Sequence, residues 1–304
     1  GLFVFYVITI ICLLYNTGIV SDDFSLIMSE NRFSNFIDVL AHGQKYEAKP
    51  VFRYIFGIFY YFVDINQFIL IDFIKILINV SIFYMTTKFF SLFLRSSSSM
   101  LIAFLFIFFP THDSTTYGYM HIPLSLCIGL YLYAYYLVSN NRFTLAGISS
   151  LLASFVHYGS PPIAFSLFVL CLYKKTYKQG LILVIPNIAY AGYFIFVTMF
   201  LNQGVQRIPS GLNVVLLIKQ YVLQVGSFID AVIGPSFFLK IYYSIFENDI
   251  TSIVLAIIFV IGYVLISRSN DEEEKVQVDK RLLMVFIILI LTSFGIFAMT
   301  GAYP

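Results

Sequence analysis

The apolar residues of this chain fall in long continuous blocks, separated by short polar connections. The blocks are Leu2–Tyr15, Phe68–Phe93, Met100–Phe109, Ile122–Val138, Phe143–Val156, Ile163–Tyr173, Leu181–Leu201, Ile250–Ile266 and Leu282–Met299. A helix needs about 20 apolar residues to cross a hydrocarbon core of about 30 Å. Several blocks are shorter, which a membrane tolerates where protein rather than lipid surrounds the helix. A transmembrane barrel would show alternating segments of about ten residues instead. The predicted fold class is therefore all-α, a polytopic transmembrane bundle of about nine spans.

The connections set an orientation, because Lys and Arg favour the cytoplasmic side of short loops. Lys88 and Arg95, Arg142, the group Lys174, Lys175 and Lys178, and the group Arg268, Lys275, Lys280 and Arg281 all land on one side. The other side carries Asn16–Asn66, Thr111–His121, the turn His157–Pro162 and the long loop Asn202–Asp249, and with them all four histidines. For this parity to hold, Val51–Val63 lies along the membrane surface, since its helix would be only about 20 Å long. Leu212–Ile233 is long enough to cross but is interrupted by Lys219, Gln220, Gln224 and Asp230, and reads as an interfacial amphipathic helix. Ser96–Ser99 reads as a flexible turn, and Asp271–Glu274 with Lys275 as a solvated connector. No internal repeat and no soluble domain is evident, so residues 1–304 read as one integral membrane domain with outer loops at 16–66 and 202–249. Gly1 and Pro304 leave both ends expected to be clipped, and Leu2–Tyr15 counts as a span because it lacks the basic flank and cleavage site of a signal peptide.

Composition agrees with this reading. Hydrophobic residues make up 60% of the 304 and charged residues 11%, with a mean hydropathy of +0.88, where a soluble domain has about 25% charged residues. Trp is absent while Tyr numbers 23, so Tyr takes most of the interfacial anchoring. A net charge of +2, with no recognisable binding motif, argues against nucleic acid as a partner. Cys12, Cys127 and Cys171 lie inside apolar blocks without metal-binding spacing and read as small hydrophobes.

Candidate chemistry gathers in the outer loops. Asp22 and Asp23 follow the first span, where a carboxylate could act as general base on a sugar hydroxyl or hold a divalent cation; the alternative is a helix cap at Ser21–Asp23. Lys49 and Arg53 are four residues apart, so one helical face presents both cations to a phosphate or to lipid head groups. Arg207, Lys219 and Lys240 invite the same reading. His112 and Asp113 follow Pro110, and His121 opens the next span; a histidine beside a carboxylate can be oriented for proton transfer or serve as an interfacial hydrogen-bonder. His157 ends one span at the mouth of the bundle, where an ionisable group is costly and calls for a reason. Asp72 and Lys75, three apart inside the second span, read as a structural ion pair.

Four stretches, in order, are Val20-Ser21-Asp22-Asp23-Phe24, Lys49-Pro50-Val51-Phe52, Met120-His121-Ile122-Pro123-Leu124-Ser125 and Phe155-Val156-His157-Tyr158-Gly159-Ser160. Together they resemble the EpsG-like branch of bacterial Wzy-type polysaccharide polymerases, which carry a G-T-D-Y-like acidic motif, an E-P-G-F-like helix opening, an I-R-Q-x-L-A-like helix start and a helix ending in histidine. The likeness covers about residues 10 to 175. Lys49 stands where that family has Glu, and His121 where it has Arg. The resemblance implies a GT-C-like membrane glycosyltransferase that joins undecaprenyl-pyrophosphate-linked oligosaccharide repeats, of O-antigen or exopolysaccharide type, at the outer face of the bacterial plasma membrane. It leaves the cofactor open, with a divalent cation as the candidate, and admits a polysaccharide chain-length regulator as a protein partner. His157 or the Asp22/Asp23 pair would deprotonate the acceptor, while Arg53, Arg207 and His121 would steady the departing pyrophosphate. Two alternatives stay open: a GT-C enzyme that adds one sugar from a polyprenyl monophosphate, for which Asp113 would supply a second acid, and a lipid-linked sugar flippase or transporter.

Overall fold

The computed structural model of the protein describes residues 1–18, 37, 50–51, 68–108, 116, 118, 122–200, 214–246, 250–268 and 280–299. Among them are eleven long helices and no strand: α1 (Leu2–Leu14), α2 (Phe68–Phe90), α3 (Ser96–Ile107), α4 (Ile122–Ser139), α5 (Phe143–Val156), α6 (Ser160–Tyr173), α7 (Tyr177–Phe200), α8 (Val214–Ile233), α9 (Pro235–Phe246), α10 (Ile250–Arg268) and α11 (Lys280–Met299). Each apolar block of the sequence is a helix within a few residues of its expected ends. Among the described residues, four stretches are long and apolar enough to cross a membrane, namely Ile69–Phe90, Ile122–Ser139, Tyr177–Phe196 and Val214–Phe246. Shorter apolar helices include α1, α3, α5 and α6.

One expectation changes. Ser96–Ser99 is the first turn of α3 rather than a flexible turn; the Ser99 hydroxyl donates to the Arg95 carbonyl at 2.8 Å, and the local hydrogen bonding of serine suits a helix start. Within the stretch expected as an interfacial helix, Val214–Ile233 is helical as α8. With α9 it meets the length and hydropathy requirement for crossing, and it packs along α11, where Tyr221 donates to the Leu291 carbonyl at 3.2 Å.

One helix, α5, turns small residues inward and large aliphatic ones outward. On α5 the buried positions are Ala146, Ser149, Ser150, Ala153 and Ser154, while Leu145, Ile148, Leu151 and Leu152 are exposed. Small and hydroxylated residues let backbones approach and bond across helices, and large aliphatic ones suit lipid chains. α4 is the hub, packed against α2, α5, α6 and α7 through buried Cys127, Tyr131, Ala134, Tyr135 and Val138. A second core joins α1, through Leu2, Tyr6, Ile10 and Leu14, to α2 and α3. α10 reaches this core through Phe259, which stacks on Phe5 at 5.2 Å and on Phe104 at 5.0 Å.

The two ends of the bundle differ chemically. At one end Lys88 lies over the rings of Tyr84 and Tyr136, at 5.4 and 6.0 Å, and Lys174 over Phe93 and Tyr135, at 5.0 and 5.4 Å. Both lysines thus share the C-terminal end of α4, as their expected common side requires. Attraction to ring faces, about 0.5–2 kcal/mol per pair, holds their ammoniums at that level. The opposite end carries the starts of α2 and α4 and the turn between α5 and α6.

Candidate functional site

α5 stops where His157 adopts an extended backbone (φ −150°, ψ 138°), and α6 begins three residues later with Pro161 and Pro162 in its first turn. Proline fits there because the first amides of a helix have no intrahelical acceptor to lose. The Ser160 amide closes the turn on the His157 carbonyl at 3.2 Å.

His157 is 5% exposed. Its Nδ1 accepts the Gly159 backbone N–H at 2.9 Å, and its ring stacks on Tyr158 with centroids 4.3 Å apart. An imidazole nitrogen that accepts a hydrogen bond carries no proton, so this bond assigns the neutral ring's hydrogen to Nε2. While it holds, Nε2 donates. Nε2 is therefore the ring's N–H donor, and the Nδ1 lone pair is engaged by the backbone.

Beneath this turn runs a column of hydroxyl and amide groups linking α4, α5, α6 and α7. The Ser160 hydroxyl donates to Asn187 Oδ1 at 3.0 Å, and the Asn187 amide donates to the Tyr131 oxygen. Tyr131 and Ser154 meet at 2.6 Å, and the Ser154 hydroxyl donates to the Ser150 carbonyl at 2.8 Å. Each hydroxyl has one hydrogen, so the direction is fixed: Tyr131 donates to Ser154. Ser150, Ser154 and Ser160 are each 0% exposed, as is Tyr131.

The column also repairs a proline. Pro186 lies inside α7 and has no N–H for the carbonyl four residues earlier, that of Ile182. The Ser150 hydroxyl from α5 lies 3.1 Å from that carbonyl and 3.1 Å from the Gly147 carbonyl of its own helix, so its one hydrogen is shared between the two and partly replaces the missing donor.

A second polar cluster lies where α2 begins. Lys75 Nζ is 3.8 Å from Asp72 Oδ1, with both side chains buried, so the expected ion pair is present. Asp72 Oδ1 also accepts the Thr17 hydroxyl at 3.1 Å and the Gly18 amide at 3.2 Å, which ties the end of α1 to α2.

Of the site residues expected from sequence, His157 and Lys240 fall among the described residues. Lys240 lies exposed on α9. Asp22, Asp23, Lys49, Arg53, Asp113, His121 and Arg207 lie outside them. Among the described residues no group of three or more His, Cys, Asp or Glu is arranged to hold a metal. Sequence reasoning passed over Tyr131, Ser150, Ser154, Ser160 and Asn187. The available signal was Pro186-Asn187 inside an apolar span, beside a neighbouring span with serines at 149, 150 and 154. No protein-family model matches the chain, and no curated protein or solved structure is found similar to it.

Proposed function

We propose that this protein is a GT-C-like membrane glycosyltransferase that joins undecaprenyl-pyrophosphate-linked oligosaccharide repeats into a surface polysaccharide at the outer face of the bacterial plasma membrane. The reading includes about nine spans, with Val214–Phe246 on the outer side, and rests on the order of the four motif stretches. The observation that carries it is His157, buried at the bundle mouth with Nδ1 engaged by Gly159 and its proton on Nε2. That tautomer favours a division of labour. His157 donates to an oxygen of the departing pyrophosphate, alongside Arg53, Arg207 and His121, and the Asp22/Asp23 pair takes the proton of the acceptor hydroxyl. The same acidic pair is chemically able to hold a divalent cation.

The test is incubation of purified protein with lipid-linked repeats, with and without EDTA, read on a gel. A ladder of chain lengths is expected, and a single added sugar would instead favour the monophosphate-dependent enzyme. His157→Gln, whose amide offers an N–H near Nε2, is expected to keep several-fold more activity than His157→Asn or His157→Ala. Equal activity in all three would remove His157 from the chemistry. The buried Asp72–Lys75 pair favours a second reading, a lipid-linked sugar transporter, since intramembrane ionisable groups mark transport pathways. Flux into sealed vesicles without a new glycosidic bond would support that reading.

A further inference from the structure

The surroundings of Lys75 form a cation site. Its Nζ donates to the Gly18 carbonyl, lies 3.5 Å from Thr17 Oγ1 and 3.8 Å from Asp72 Oδ1. A carbonyl, a hydroxyl and a carboxylate are the oxygen donors that hard cations take. The backbone is shaped to supply them: Asn16 and Gly18 both have positive φ, 61° and 64°. This left-handed path brings the Thr17 side chain and both polar groups of Gly18 toward α2. The Thr17 hydroxyl gives its hydrogen to the Leu14 carbonyl or to Asp72, each at 3.1 Å, leaving its oxygen lone pairs for the ammonium. One turn deeper on α2, Asn79 bonds the Lys75 carbonyl through its amide at 3.0 Å and keeps a buried Oδ1 with no partner. Among the described residues, three oxygen acceptors and one positive charge meet here.

We propose that this is a monovalent-cation site whose ion is supplied by the chain itself, the Lys75 ammonium standing where sodium, potassium or ammonium would otherwise bind. The tethered charge fastens the exit of α1, and with it the start of the first outer loop, whatever the salt outside. Removal of the lysine side chain leaves the Asp72 carboxylate, Thr17 Oγ1 and the Gly18 carbonyl in place to take a small cation from solution. Choline, whose charged nitrogen is shielded by its methyl groups and cannot bind oxygens directly, serves as the control.

The experiment is thermal unfolding of the full chain in detergent, followed by the thiol reactivity of Cys127 and Cys171, which are buried in the folded protein. The chloride salts of sodium, potassium, ammonium and choline are compared at equal ionic strength. The parental protein is expected to melt at one temperature in all four. Lys75→Ala is expected to lose about 10 °C in choline, as breaking a buried pair implies, and to regain at least half of that loss, saturably, in one of the small cations. Asp72→Asn combined with Lys75→Ala is expected to regain nothing. The proposal fails if Lys75→Ala melts like the parent in choline, or if no small cation does better than choline. It fails equally if Lys75→Ala is unfolded in every salt, or if the double variant recovers as far as the single one.

Discussion

Gly159 has an ordinary backbone angle, φ −74°, so what excludes a side chain there is space. A Cβ would stand 2.9 Å from His157 Nδ1 and 3.2 Å from Leu124 Cδ1. Gly159→Ala is therefore expected to push the imidazole off its backbone donor and release Nδ1. Under the proposed function, a displacement of this size lowers the polymerisation rate by roughly 10- to 100-fold, against a cost in stability of about 1–3 kcal/mol for an overpacked site. Rate and melting temperature measured on the same preparation separate the two effects. At this scale the sequence was partly legible. His157 drew notice because an ionisable group at the bundle mouth needs a reason, but its tautomer follows from the Gly159 amide, which only the folded turn supplies. Asp72 and Lys75 were legible as a pair by their spacing. Their attachment to Thr17 and Gly18 was not, because more than fifty residues intervene.

Among the elements, α5 and α7 are coupled through the carbonyl that Pro186 leaves open. Ser150→Ala removes the substitute donor and is expected to destabilise the protein by about 0.6–1.7 kcal/mol, the range for hydrogen bonds between membrane helices. Pro186→Ala restores an N–H for Ile182 and makes the serine redundant. In Pro186→Ala protein the same serine substitution should then cost less than half as much, as a double-mutant cycle of denaturant unfolding would show. An equal cost in both backgrounds would mean that Ser150 acts elsewhere. Helix positions were readable because a continuous apolar run in a lipid-soluble chain has few alternatives to helix. The polar column was not, because Ser, Tyr and Asn in such a run look neutral until it is known which face they share. Ser96–Ser99 was misjudged for a related reason: four serines suit a turn by composition, and the Arg95 carbonyl that makes them helical is a local bond that composition does not display.

For the molecule as a whole, the proposed orientation puts Asn16 and Lys240 outside and Asn141 and Lys178 inside. Single cysteines at these positions, in a chain whose own cysteines are replaced by Ala, give a direct test with an impermeant maleimide on intact cells. Asn16→Cys and Lys240→Cys are expected to label at once, Asn141→Cys and Lys178→Cys only after permeabilisation. Label at Asn16 without label at Lys240 would mean that Val214–Phe246 crosses the membrane, and the nine-span count would have to change. The two-ended character of the bundle was legible from the basic connections, and Lys88 and Lys174 do share one end. The depth of α8 and α9 was not, since their apolar and polar residues are balanced closely enough to suit either placement.

The ring-held lysines have a geometric consequence for the opposite end. α5 has 14 residues, a rise of about 21 Å, whereas the hydrocarbon layer is about 30 Å deep. Under the proposed membrane placement, with the lysine end at head-group level, a shortfall of about 9 Å falls at the His157 turn. That placement would have the lipid leaflet dimpled around the turn, or the turn at the floor of a shallow well. Under the proposed function, the long-chain lipid that carries the sugars would then meet this protein below the ordinary membrane surface, and the thickness of the host bilayer would become a control on access.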